Sequence, residues 1–415
     1  MENQLKRNLF FNTVGSLVFY ICQSAITILV LALAGPVANG LLATAMTISN
    51  VVISAAGFGM RTFQVSDLNS HYKDRTYLTS RYVTMLAAFV GCCIFAFVNS
   101  YSSQQRWIIL LYTAYRLIES WSDVWHGYLQ KAERMDIVGI SFGVRGILTL
   151  VVLVVGLLLT DHLALILGVL FLSNSIYVLC VDIPFAAKQA DFSSNGGKSL
   201  WQLLAECAPL AVCAFLNTAV PSIPRYYCER ILGSTQMGYF ASIFLPVAVL
   251  QVAMIYLFVP FITTFARMWI ERNRLGYYKG IGFLFVGLGV LWICGAIGVA
   301  LLGRWGLSFL YPSTPELLEY TSLLQPLVVA TVCMVLSSVL IHLLTIARAM
   351  QTLIFSSLAG CLAAWAGSSA LLHQFGLYRA AYATILGIGV QAVWALVGLL
   401  MKSRLWFAQK EKESS

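Results

Sequence analysis

The sequence predicts an all-α integral membrane protein of about twelve transmembrane helices in two six-helix bundles. Composition is the first reason. Of 415 residues, 59% are hydrophobic and only 10% charged, and mean hydropathy is +0.81. Soluble domains carry roughly 25% charged residues, so this chain cannot cover a water-facing surface and lipid must be its main solvent. The second reason is the recurrence of apolar runs near the ~20 residues that a span needs. The third is the absence of the period-2 alternation that a closed barrel would impose, which leaves helices as the only way to satisfy the backbone in lipid.

Taken in order, the first run, 10–33, holds no charge and follows Lys6 and Arg7. It is too long for the ~7–15-residue apolar region of a signal peptide, so it reads as a retained helix despite the small residues Ala32-Leu-Ala-Gly35 at its end. After a glycine-proline turn comes 38–59, and after the charged stretch 60–81 comes 82–99. Segment 107–129 is apolar overall but carries charges; 137–159 and 163–184 are plain spans. Segment 200–222 contains Pro209 and Pro221. The remaining runs, 238–262, 281–302, 322–345, 351–372 and 379–401, are bounded by basic or turn residues. The resulting division is an N-terminal bundle at 1–187, a cytoplasmic linker at 188–199, a C-terminal bundle at 200–401 and a charged, frayed cytoplasmic tail at 402–415.

Basic residues test this topology, because cytoplasmic loops hold an excess of Lys and Arg. With both termini cytoplasmic, 19 of the 26 fall inside and five outside, while Arg116 and Arg145 lie within spans. The placement expected is therefore a multi-pass membrane protein with both termini cytoplasmic. The same distribution accounts for the net charge of +9 and removes nucleic acid as a partner, since the cations are scattered between apolar runs. Ten cysteines, almost all inside apolar runs and without a CxxC pair, read as small packing residues, so no metal and no cofactor is expected.

A spacing recurs at half-chain distance. Gly35-Pro-Val-Ala-Asn-Gly40 opens the second helix and Gly233-Ser-Thr-Gln-Met-Gly238 opens the eighth, an offset of 198 for both glycines. The helices that follow end near Arg61 and Arg267. A second echo links Ala132-Glu-Arg-Met135 to Ala347-Arg-Ala-Met350, at an offset of 215. Six helices per half is an even number, so the halves share one orientation, with an axis along the membrane normal and a cleft between the bundles.

The fourth helix carries Arg116, Glu119 and Asp123 at spacings of three and four, with His126 and Gln130 continuing the stripe. A charge at the bilayer centre costs at least ~2.5–3.5 kcal/mol, so this stripe is expected to face a wet cavity or a partner. Arg145 in the fifth helix lies at a depth similar to Asp123 and is expected to pair with it. The group either handles substrate or ions, or only locks two helices together. Thr47, Asn50 and Ser54 share one face of the second helix. Arg225, Glu229 and Arg230 form a charge group at the outer end of the seventh, near Asn217. Glu206 and Asp182 lie near inner ends, where snorkelling to water explains them, and His342 reads as a satisfied helix histidine.

There is no P-loop, HExxH or GxSxG string, and hence no sign of an enzyme. A membrane polymerase or glycosyltransferase would place carboxylates in a sizeable outer loop, and 303–321 offers only Glu316 and Glu319.

Asn12-Thr-Val-Gly-Ser16, the Gly35…Gly40 turn, Gly57-Phe-Gly-Met-Arg61, Gln130-Lys-Ala-Glu-Arg-Met135 and Leu232-Gly233…Met237-Gly-Tyr-Phe240 together resemble bacterial polysaccharide-repeat-unit flippases. These are the O-antigen and capsule flippases of the multidrug/oligosaccharidyl-lipid/polysaccharide exporter superfamily. The resemblance implies a V-shaped pair of six-helix bundles around a cationic central cavity. It implies as substrate an undecaprenyl-diphosphate-linked oligosaccharide, moved from the inner to the outer leaflet. Arginine suits a diphosphate through its forked donors. Arg116 and Arg145 are then the inward candidates, with Arg61 and Arg267 at the inner mouth and Thr47, Asn50 and Tyr115 for the sugars. Glu119 and Asp123 would couple transport to H⁺ or Na⁺ or balance the arginines. Membrane lipids and polysaccharide assembly proteins are the other expected partners. The alternatives are a drug/cation antiporter of the same superfamily, a membrane polymerase or glycosyltransferase, and a structural partner in a glycan assembly complex.

Overall fold

The computed structural model describes residues 2–67, 71–190, 192 and 199–413, and no strand occurs among them. The expectations for Lys198 and for 193–197 of the linker, and for the side chains of Lys410 and Lys412, fall outside the described residues. Ten stretches are long and apolar enough to cross a membrane. One of them, Lys6–Ser66, contains a break and counts twice, and the charged fourth helix is too polar to qualify by composition. Two compact units result, Met1–Thr218 and Ala219–Ser415.

In the first unit, α1 (Glu2–Gly57) is two helices joined at Gly35, whose φ of 81° and ψ of 178° belong to a region essentially closed to residues with a Cβ. α2 (Met60–Ser66) follows directly, then α3 (Asp74–Val98), α4 (Ser103–Lys131) and α5 (Met135–Leu159). α1 and α5 cross backbone to backbone. A Cβ on Gly15 would lie 1.7 Å from the Gly139 carbonyl oxygen, and one on Gly139 would lie 2.1 Å from that of Phe11. Small residues at a crossing are how helices approach closely in lipid, where no hydrophobic effect drives them together. Asn8 ties the N-terminus to the α4–α5 turn. Its Nδ2 donates to the Glu133 carbonyl at 2.6 Å and its Oδ1 accepts from the Asp136 amide at 3.1 Å, while Arg7 pairs with Asp136 at 2.7 Å.

The sixth span is not one regular helix. α6 (Leu163–Tyr177) widens into a π-turn over Val178–Asp182 before α7 (Ile183–Ala187). Pro184 explains the widening: it has no N–H, and its ring would clash with the carbonyl four residues back in a regular helix. The Ile183 amide accordingly donates to Val178, five residues back. α8 (Leu200–Leu232) runs unbroken through its prolines and contains the boundary between the units.

In the second unit α9 (Ser234–Ile270) starts after Gly233, whose φ of 84° and ψ of 171° repeat those of Gly35. α10 (Arg274–Leu310), a 3₁₀ turn over Pro315–Leu323, α11 (Leu324–Ile346), α12 (Met350–Phe375) and α13 (Tyr378–Glu413) complete it. The second sequence echo is structural too. Glu133 and Arg348 both adopt left-handed φ, 53° and 52°. The amides after them, of Arg134 and Ala349, donate five residues back at 2.8 and 2.9 Å, which is a Schellman-type helix end in each half.

The tail departs from the expectation of a frayed segment, because α13 continues to Glu413. Trp406 stacks on Trp269 with ring centroids 5.6 Å apart and donates to the Trp269 carbonyl, and Phe407 is buried against Tyr277 and Tyr278. That aromatic burial extends the helix beyond the apolar run. α4 in the first unit and α11 in the second are the most enclosed helices. They are the fourth helices of their halves, yet only α4 carries charges at mid-span.

Candidate functional site

The site is built on one side of α4, in three steps along its axis. Arg116, near the helix midpoint, forms an ion pair with Glu119 one turn on. Both side chains are about four-fifths buried, at 21% and 17% exposure. Arg116 Nε and Glu119 Oε1 are buried without a protein partner, so each group keeps hydrogen-bonding capacity unspent near the middle of α4. One further turn on, Asp123 accepts from two arginines. Arg61 reaches it from α2 and also donates to Gln130 Oε1, at 3.3 Å from Nε and 3.0 Å from Nη2. Arg81 reaches it from α3, with Nη2 3.3 Å from Oδ2.

Arg81 is fully buried, and its Nη1 also donates to the Ala56 carbonyl at 3.0 Å and to Ser120 Oγ at 3.2 Å. The helix break after Gly57 makes this possible. Phe58 and Gly59 adopt left-handed φ, so α2 leaves the axis of α1 and brings Arg61 across to α4. Gln64 on α2 donates to the Val124 carbonyl at 3.2 Å and packs on Gly127, where a Cβ would lie 2.3 Å from its side-chain oxygen. The group holds three guanidinium groups against two carboxylates, a fixed excess of one positive charge.

Outside the span, Asp67 organises the loop that follows α2. It accepts from the amides of His71 and Tyr72 at 3.0 Å each, from the His71 ring at 3.1 Å and from the Tyr77 hydroxyl at 3.0 Å. Burial raises the carboxyl, but these donations outweigh it and hold Asp67 below the ordinary aspartate range. Burial, with Glu206 and other acidic neighbours, pushes the Tyr72 phenol up to about 12.

No protein-family model matches the chain. Over 240 residues it is 22% identical to the capsular polysaccharide biosynthesis protein CapF of Staphylococcus aureus, a match covering 57% of this chain and 60% of that protein. The chain thus matches less than two thirds of that relative's length. Among solved structures, an inward-facing multidrug resistance MATE family transporter of the MOP superfamily superimposes with a TM-score of 0.71 at 12% identity, covering 98% of this chain and all of the other. A MOP superfamily transporter from Pyrococcus furiosus gives a TM-score of 0.59 at 15% identity, covering 98% and 95%. The chain has the MOP-transporter fold. It is a multi-pass, all-helical membrane protein built on that plan.

Within the MOP fold, the sequence candidates separate into three groups. Arg61, Arg116, Glu119 and Asp123 come together on the α4 face. Arg145 does not join them: it is 1% exposed and bonds through Nε to Asn174 Oδ1 at 3.5 Å. The expected Asp123–Arg145 pair is replaced by Asp123 with Arg61 and Arg81, because Arg145 projects from α5 toward α6 rather than toward this side of α4. Tyr115 is likewise inside the packing. It is wholly buried, and its hydroxyl is spent on Gln23 Nε2 at 3.0 Å and Thr149 Oγ1 at 3.3 Å, so it offers sugars no surface.

Thr47 is buried and donates to the Ala43 carbonyl, whereas Asn50 on the same helix is exposed. Arg267 is exposed near the end of α9. His126 leaves the stripe for the interior at 1% exposure, and Asp182 is equally buried rather than snorkelling to water. Asp182 sits at the end of the π-turn, which carries it inward. The residue that sequence reasoning missed at the site is Arg81, assigned to a loop because the apolar run starts at residue 82. The signal was its spacing: Tyr77, Arg81 and Thr84 are one buried face of a helix that already begins at Asp74.

Proposed function

We propose that this protein is a secondary transporter of the flippase type, moving an undecaprenyl-diphosphate-linked oligosaccharide from the inner to the outer leaflet of a bacterial cytoplasmic membrane, both termini cytoplasmic, with H⁺ or Na⁺ as driving ion. The observation that carries this reading is the α4 cluster. Three arginines against two carboxylates in the membrane suit an anionic, forked ligand such as a diphosphate. The CapF likeness supports the polysaccharide side of the reading. Of the two outer-loop carboxylates that an enzyme reading would use, Glu316 and Glu319, the first accepts from the Tyr239 hydroxyl, which weakens that reading.

The test is reconstitution in vesicles with labelled undecaprenyl-diphosphate-linked oligosaccharide, scoring its appearance in the opposite leaflet. Arg116→Ala is expected to abolish translocation while the protein stays folded, and Arg116→Lys to restore part of it, a point charge replacing a fork. Unchanged translocation by Arg116→Ala removes Arg116 from the site. The second reading is a drug/cation antiporter, favoured by the likeness to a multidrug resistance transporter. Transport of a cationic dye by a chain inert toward the labelled oligosaccharide would decide for it.

A further inference from the structure

A second buried polar centre lies inside the first unit, apart from the Arg61–Arg81–Asp123 group. Asp182, at the end of the π-turn, accepts from Ser122 Oγ of α4 at 2.6 Å and from Ser141 Oγ of α5 at 2.7 Å. His126 Nε2 is 3.4 Å from the same carboxylate and 3.1 Å from Ser122 Oγ. Both His126 and Asp182 are 1% exposed.

Hydrogen counting gives one consistent arrangement when Asp182 is ionised. Each serine has a single hydroxyl hydrogen, and both give it to Asp182. With Asp182 ionised and accepting from both serines, Ser122 is left to accept from His126 in its Nε2–H tautomer. Phe142 closes the other side, its ring edge-on to the imidazole at 5.2 Å. Among the described residues, the other titratable or charged groups facing the pair are Tyr177 of α6, bonded to Ser141, and Arg145 of α5 beyond it.

We propose that the His126–Asp182 pair is a proton-binding site that clamps α4, α5 and the sixth span together while Asp182 is ionised, and that taking up one proton loosens this clamp to drive the transport cycle. The ionised carboxylate joins three elements through two short hydroxyl bonds and the imidazole. A proton shared by the pair converts an acceptor into a donor or draws the carboxylate toward the imidazolium. Either change weakens at least one serine bond, because each carboxylate oxygen already accepts from a serine. The element holding Asp182 is a π-turn, a local irregularity of the kind frequent at functional sites.

The titration part of this proposal stands alone; the coupling part rests on the transporter reading. Infrared difference spectra of the purified chain in lipid nanodiscs across a pH step test the first. The wild-type protein should show a protonation whose carboxyl and imidazole bands are lost in both Asp182→Asn and His126→Gln. Ser141→Ala, which keeps both titrating groups, should displace the midpoint by about one pH unit. An unchanged band set in Asp182→Asn overturns the site. For the second, vesicles with labelled lipid-linked oligosaccharide are given a pH gradient. Acceleration in wild type and its loss in Asp182→Asn, with gradient-free exchange retained, supports coupling. Wild-type exchange indifferent to the gradient overturns coupling. A chain that moves no lipid-linked oligosaccharide overturns the substrate reading, and the infrared titration then decides the proton site by itself.

Discussion

Arg81 and Asp123 form a pair with unequal partners, and that inequality makes a sharp prediction. Arg81 has no exposed surface, whereas the Asp123 side chain is 35% exposed and bonded to a second arginine. Replacing Asp123 with Ala strands a buried guanidinium. Breaking such a pair costs ~3–5 kcal/mol when the remaining charge is sealed in. Here the exposed carboxylate was partly screened, and Arg81 keeps its bonds to Ala56 and Ser120, so the expected loss is about 2–3 kcal/mol. Replacing Arg81 with Met removes the buried charge itself and leaves Asp123 with Arg61; the loss should be about 1 kcal/mol.

At roughly 2–4 °C per kcal/mol for a unit of this size, Asp123→Ala should melt about 5–10 °C below wild type and Arg81→Met about 2–4 °C below. The double variant should resemble Arg81→Met rather than the sum. Thermal unfolding of purified protein in one detergent at one scan rate reads this, since the comparison needs only ranking under matched kinetics. The reasoning is refuted if Arg81→Met melts at or below Asp123→Ala, or if the two losses simply add.

Two other predictions concern the loop and the helix crossing. Asp67 is held below its unfolded value, so its contribution is present above the unfolded value of about 4 and is lost as pH falls through the lower folded one. The protection factor of the Tyr72 amide, which donates to Asp67, should therefore fall on acidification below pH 4 in wild type, and Asp67→Asn should show that lowered protection already at neutral pH. Gly139→Ala should prevent a stable fold, because the new methyl meets α1 backbone; Gly168→Ala, where a Cβ finds nothing within 4 Å, should be neutral. Yields of monodisperse detergent-solubilised protein compare the two, and equal yields would mean the α1–α5 crossing is looser than described.

Much of the fold was legible because lipid imposes a simple code. Uncharged runs mark spans, and a glycine followed by proline marked the break in α1. The α4 charges were legible for the same reason: Arg116, Glu119 and Asp123 have no cause to be mid-span unless something solvates them. Partner choice was not legible. Depth along a helix suggested Arg145 for Asp123, but rotation about the axis decides contacts, and only packed neighbours set rotation. Asp182 shows the same limit. Its position near a span end implied access to water, while the π-turn forced by Pro184 turns it inward.

Gly35 and Gly233 share one backbone conformation 198 residues apart, although few side chains around them correspond. Duplicated halves can drift until their letters no longer align, yet a torsion that only one amino acid tolerates is harder to lose. Such paired joints offer landmarks for tracing ancestry among transporters too diverged for sequence alignment, with dihedral angles serving where identity has faded.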